Sequence, residues 1–201
     1  MWVHPFLMDA SSAAAPAAED DQPATAPLLG GVSATSLPKL VVFDLDFTLW
    51  PFWIDTHRTP PFSKSGSGVV TDGNGDEVEL YPDVRAILAA LRAAGVPVAF
   101  ASRTGEPEWA RAALALIPLG DGRVLGDAAA YEEIYPSSKL KHFRALASAS
   151  GVACAEMLFF DDEARNAEVE RLGVTFVHAP NGMSMGLFEE GLRAFAERRN
   201  R

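Results

Sequence analysis

Disulfide stabilisation is closed to this chain, because its single cysteine, Cys154, has no partner within the sequence. One lone thiol fits a reducing compartment. Cys154 lies in an alanine-rich stretch ahead of an apolar run and reads as a small buried residue, not a nucleophile. Long apolar runs are also missing: none approaches the ~20 residues that a membrane-spanning helix needs, so the protein is expected to be soluble. Basic side chains are scarce, with 17 Lys and Arg against 27 Asp and Glu and a formal net charge of −10. Nucleic acids and anionic membranes are bound by clustered Lys and Arg, so neither is an expected partner. No Lys or Arg precedes Lys39, whereas Asp9, Glu19, Asp20 and Asp21 do. Organellar transit peptides are Arg-rich and poor in acids, which favours the cytosol, with an organelle as the alternative.

At 201 residues the chain suits one domain plus appendages. Residues 1–37 read as a disordered leader: Ser11 through Ala18 is alanine-rich, and Pro16, Pro23 and Pro27 interrupt the segment. Such a stretch buries too little apolar surface to offset its ordering entropy. The folded domain is expected to occupy 38–201.

What the sequence does contain is a set of apolar runs that end in polar groups. Leu40-Val41-Val42-Phe43 has the continuous apolar character of a strand buried on both faces, and it runs into Asp44-Leu45-Asp46. In open α/β sheets ligands bind beyond the carboxyl ends of the strands. With a strand period of two, Asp44 and Asp46 share a face and can reach one metal ion or one phosphoryl group. A turn in which the acids merely cap the strand is the bland alternative. A second run, Val96 to Ala101, ends in Ser102-Arg103-Thr104 before a helix that starts near Pro107. A hydroxyl and successive amides at that point form a phosphate cradle, to which Arg103 can add a bidentate contact; helix capping with a solvated Arg is the alternative. A third run, Met157 to Phe160, ends in Asp161-Asp162-Glu163, with Asn166 close behind. Consecutive acids at the end of a buried strand repel one another unless a cation or hydrogen bonds compensate, and hard oxygen ligands suit Mg²⁺. Lys139 opens the helix after Pro136-Ser137-Ser138, where a cation opposes the helix dipole and a bound phosphate would relieve the conflict; a solvated lysine is the alternative.

Between these runs lie two other features. Trp50-Pro51-Phe52-Trp53-Ile54-Asp55-Thr56-His57 is an aromatic loop that can either wall a pocket or fill a local core. Val69-Val70 and Val78 to Leu80 flank Asp72-Gly73-Asn74-Gly75, a hairpin signal, and a hairpin there could cover the site as a flap. Val84, Ile87, Leu88 and Leu91 then follow helical spacing up to Gly95. The alternation of strands and helices predicts an α/β, doubly wound, Rossmann-like parallel sheet of about five strands.

Taken in order, Asp44-x-Asp46-x-Thr48, Ser102-Arg103-Thr104, Lys139 and Asp161-Asp162-x-x-x-Asn166 resemble the four motifs of the haloacid dehalogenase (HAD) superfamily. The more specific resemblance is to the eukaryotic magnesium-dependent phosphatases. It rests on the residues at 37–53, Ala-Ser-Arg-Thr at 101–104, Glu-Ile-Tyr-Pro at 133–136 and Phe-Phe-Asp-Asp-Glu at 159–163, and it covers about 37 to 199. The resemblance implies a Mg²⁺-dependent phosphatase with Asp44 as nucleophile and Asp46 as acid and base. It implies Mg²⁺ on the Asp44 carboxylate, the Asp46 carbonyl and Asp161, with Asp162 acting through water. Ser102, Lys139, Arg103 and the Leu45 amide would grip the phosphoryl oxygens, supported by Thr48 and Asn166. The expected substrate is a phosphorylated small molecule, such as a sugar phosphate, or a phosphoprotein, including phosphotyrosine. The intervals Asp46 to Ser102, 56 positions, and Ser102 to Lys139, 37 positions, leave no room for a large cap domain. A catalytically silent binding module on the same fold is the competing expectation, and the intact acids at 44, 46 and 161 argue against it.

Overall fold

The computed structural model describes Leu29 and residues 31–199. The expected leader lies largely outside the described residues. Its last part, however, packs on the domain: Val32 is only 6% exposed within the core, and Leu29 and Leu37 pack against that core. Three well-spaced apolar residues thus move the start of the fold ahead of the boundary at 37, a contribution that average composition hides.

Five parallel strands form the central sheet. They are β1 (Leu40–Phe43), β4 (Val98–Ser102), β5 (Ala129–Ile134), β6 (Met157–Asp161) and β7 (Thr175–His178), ordered β5-β4-β1-β6-β7. The intervening labels belong to a small antiparallel pair, β2 (Ser63–Lys64) and β3 (Val70–Thr71). All four residues of β1 are buried, as a continuous apolar run requires. The strand period sends Val41 and Phe43 to one face and Leu40 and Val42 to the other, and these pairs seed two separate core clusters. The first face is covered by α2 (Val84–Ala93), α3 (Pro107–Leu114) and α5 (Met185–Arg199). The second is covered by α4 (Lys139–Ser150) and by the 3₁₀ segment Ala164–Leu172. In α2 the four residues at helical spacing, Val84, Ile87, Leu88 and Leu91, are the buried ones, each worth about 1.5–3 kcal/mol when removed from water. Gly95 then turns the chain at φ 68°, which a side chain would resist. The sheet order reverses direction between β1 and β6, so the switch point falls beside Asp44 and Asp161.

The 69–80 hairpin differs from expectation. Thr71 and Glu77 form a single antiparallel bridge around the predicted turn, while β3 pairs on its other edge with β2. The turn is tied down: Asp72 accepts hydrogen bonds from the amides of Thr59, Asn74 and Asp76, and Arg58 donates to the Glu77 carbonyl. A β-carbon on Gly73 would lie 2.7 Å from the Pro60 carbonyl oxygen, so only glycine allows this approach. The hairpin therefore packs on the loop at 58–61, and no residue of 63–80 lines the cavity described below.

Candidate active site

The site is built at the carboxyl ends of β1, β4 and β6, and the first turn of α4 closes it from below. Ser138 caps α4, accepting from the Lys141 amide, and this sets Lys139 at the first helical position. Lys139 is completely buried. Its Nζ lies 2.5 Å from Asp44 Oδ1 and 3.1 Å from Asp161 Oδ2, and it also donates to the Ala101 carbonyl. Burial works against the Lys139 charge, but Asp44 and Asp161 outweigh it and hold its pKa above the ordinary lysine value. The conflict of this cation with the helix dipole is thus resolved by two carboxylates. All three of its protons are engaged, and Lys139 does not line the cavity, so the expected grip on a phosphoryl group requires release of one of these bonds.

Asp44, Asp161 and Asp162 each bring a carboxylate oxygen within 4.8 Å of the others. Asn166 orients the middle one, donating from Nδ2 to Asp161 Oδ1 at 2.9 Å and Oδ2 at 2.8 Å, while Arg103 donates to Asn166 Oδ1 at 3.1 Å. Thr48 latches the two strand ends together, its hydroxyl accepting from the Asp162 amide at 3.1 Å. Burial pushes Asp44 well above the ordinary carboxylate range, with Lys139 opposing and Asp161 and Asp46 reinforcing. Burial also raises Asp162, to about 7, with Asp161 and Glu163 adding repulsion. One ammonium does not offset three clustered acids of hard oxygen donors, and the raised Asp44 and Asp162 reflect that shortfall. That donor set fits a divalent cation such as Mg²⁺.

A cavity of about 300 Å³ opens over these groups, onto Asp44, Asp46, Ser102, Arg103 and Asp162. Ser102 Oγ accepts from the Thr104 amide at 3.2 Å, which leaves its own proton free to donate. Leu45 turns its side chain into the core, so only its backbone can serve the site. Asp46 is raised to about 6 by burial, against the hydrogen bonds it receives from Trp50 Nε1 and the Ile54 amide. The aromatic loop divides its residues between the two expected roles. Trp50 and Phe52 are core, whereas Trp53 is 48% exposed and walls the cavity. His57 stacks on Trp53 and does not line the cavity.

Two contributors carry no strand-end signal. Asp55, in α1 (Ile54–His57), accepts from the Gly105 amide at 3.0 Å and the Thr104 hydroxyl at 3.4 Å, and so ties the aromatic loop to the Ser102–Thr104 turn. Arg165 lines the mouth, bound through its guanidinium to Glu163. A lone acid inside an aromatic run is the cue that could have drawn attention to Asp55.

A family model described as Acid Phosphatase matches residues 36–198. The human protein Magnesium-dependent phosphatase 1 is 49% identical over 162 residues, spanning 80% of this chain and 89% of that protein. A HAD-like hydrolase superfamily protein of Schizosaccharomyces pombe is 48% identical over 151 residues, spanning 73% of this chain and 88% of its own. Among solved structures, the N-terminal part of a Bacteroides fragilis protein, containing a phosphatase domain complexed with Mg, aligns with TM-score 0.55 at 17% identity. That alignment covers 80% of this chain and 40% of the other, and at this identity it speaks to the fold alone.

Proposed function

The chain belongs to the acid phosphatase family within the HAD superfamily, and from that premise we propose that it is a Mg²⁺-dependent phosphatase working through an aspartyl-phosphate on Asp44. The observation that carries this reading is the convergence of Asp44, Asp161 and Asp162 around the buried Lys139 ammonium, beneath a cavity that also exposes Asp46. The Asp44 and Asp161 carboxylates and the Asp46 carbonyl would hold Mg²⁺, with Asp162 behind them. When bound, Mg²⁺ supplies positive charge against the phosphoryl oxygens.

In the first step an oxygen of Asp44 attacks phosphorus, the bond to the leaving oxygen breaks, and Asp46 gives that oxygen its proton. In the second step Asp46 takes a proton from water as that water attacks phosphorus. The bond to Asp44 then breaks, releasing phosphate and restoring the carboxylate. Ser102 and Arg103 bind the phosphoryl oxygens, and Asn166 keeps Asp161 in place. Phosphorylation of Asp44 removes the charge of its carboxylate and frees a Lys139 donor for the transferred group.

Among the described residues no cap covers the cavity, which suits a phosphorylated side chain of a protein as well as a sugar phosphate. The exposed ring of Trp53 at its mouth favours phosphotyrosine among these, because an aromatic leaving group can stack there. The reading is tested by hydrolysis of p-nitrophenyl phosphate with Mg²⁺ and with chelator, beside Asp44→Asn. Turnover that needs both Mg²⁺ and Asp44 supports it; turnover undiminished in chelator or in Asp44→Asn rejects it.

A further inference from the structure

We propose that Trp50 is a positioning residue for Asp46, fixing which of its carboxyl oxygens passes the proton to the leaving group. The proposal rests on the reading of Asp46 as proton carrier. The chain doubles back immediately after this acid: the amides of Thr48, Leu49 and Trp50 all donate to the Leu45 carbonyl, at 3.2, 2.8 and 3.4 Å. Phe47 permits the turn by adopting a left-handed backbone at φ 52°, an uncommon conformation for a residue with a side chain. That backbone strain sits between Asp46 and the residues that bond to it, where a functional constraint is expected to be stored.

The turn returns the Trp50 indole to the acid four residues before it. Nε1 donates to Asp46 Oδ1 at 2.7 Å, and the Ile54 amide donates to the same oxygen at 3.1 Å. Two donors fill the accepting capacity of Oδ1, while Oδ2 has no partner among the described residues. Asp46 lines the cavity, so Oδ2 is the oxygen that holds the proton and delivers it as the phosphorus–oxygen bond breaks and its electrons pass to the leaving group. Trp50 is itself buried, stacked on Phe52 at 5.5 Å with rings 5° from parallel, and it does not line the cavity. It acts on substrate only through Asp46. Indole is suited to this place because its N–H donates and cannot accept, so it cannot compete for the proton.

The test compares full-length wild type, Trp50→Phe and Asp46→Asn, with Mg²⁺, on phenyl phosphate and p-nitrophenyl phosphate, reading kcat/KM. Nitrophenolate departs without a proton, whereas phenolate needs one far more, so the ratio of the two substrates reports proton delivery. Trp50→Phe is expected to lose about tenfold on phenyl phosphate, the rate equivalent of one charge-assisted hydrogen bond, and little on p-nitrophenyl phosphate. Equal losses on both substrates, or no loss on either, would overturn the proposal. Should Asp46→Asn leave the substrate ratio unchanged, the reading of Asp46 falls first. If Asp46→Asn changes the ratio while Trp50→Phe does not, only the role of Trp50 falls. Because phenylalanine leaves space in the core, 3-benzothienylalanine at position 50, which keeps the shape of indole without its N–H, is the second variant and is expected to give the same change in ratio.

Discussion

Lys139 Nζ lies 2.5 Å from Asp44 Oδ1 with the lysine fully buried, and the same ammonium reaches Asp161 Oδ2 at 3.1 Å. One cation from the start of α4 therefore holds together the acids that end two neighbouring strands. Removing one partner of a buried ionic cluster strands the others. Lys139→Met is expected to lower unfolding free energy by about 3–5 kcal/mol, measured by urea denaturation without added metal. A loss below about 1 kcal/mol would mean that the two acids do not depend on this ammonium.

Much of this arrangement could be read from the chain, and the reasons are local. Leu40–Phe43 and Met157–Phe160 are continuous apolar runs that end in acids, so both the burial of the strands and the placement of Asp44 and Asp161 followed from composition and strand period. Lys139 was visible as an electrostatic conflict. That two carboxylates resolve it was not, because they come from strands distant in sequence. Trp50 and Phe52 have the same composition signal as Trp53, and only the turn at 45–50 decides which faces the cavity. The hairpin was legible as a turn but not as to what it covers, since Asp72 is held by the amide of Thr59, outside the turn itself. The part of the leader that packs on the domain, through Val32, was hidden by averaging over an alanine-rich segment.

Asn166 donates to both oxygens of Asp161 and is held in turn by Arg103. Asn166→Ala is expected to weaken Mg²⁺ by about 10–100-fold, the usual effect of losing a partner that orients a ligand. The readout is the Mg²⁺ concentration that half-saturates the rise in melting temperature. An unchanged midpoint would place the cation away from Asp161.

His142 sits one turn after Lys139, fully buried, with Nε2 3.1 Å from the Tyr135 carbonyl and Nδ1 without a partner among the described residues. Burial lowers its pKa to about 4, and the charges of Lys139, Arg103 and Lys141 act in the same direction. Unfolded, the ring takes its proton near the ordinary 6.5, so between those values the unfolded state binds the extra proton. The stabilisation is therefore complete above 6.5 and is lost as pH falls toward about 4. The melting temperature of His142→Gln is expected to fall less steeply than that of wild type over this window. Parallel curves would show that His142 does not titrate as described.

The central claim is the covalent bond to Asp44, and trapping it is the most direct measurement. Protein mixed with Mg²⁺ and p-nitrophenyl phosphate, quenched during turnover and reduced with borohydride, is digested and sequenced by mass spectrometry. An acyl phosphate on Asp44 is reduced to homoserine, so the account predicts homoserine at position 44, dependent on substrate and absent from Asp44→Asn. Active protein that yields no modification at 44, or that carries it at another acid of the site, would contradict the account.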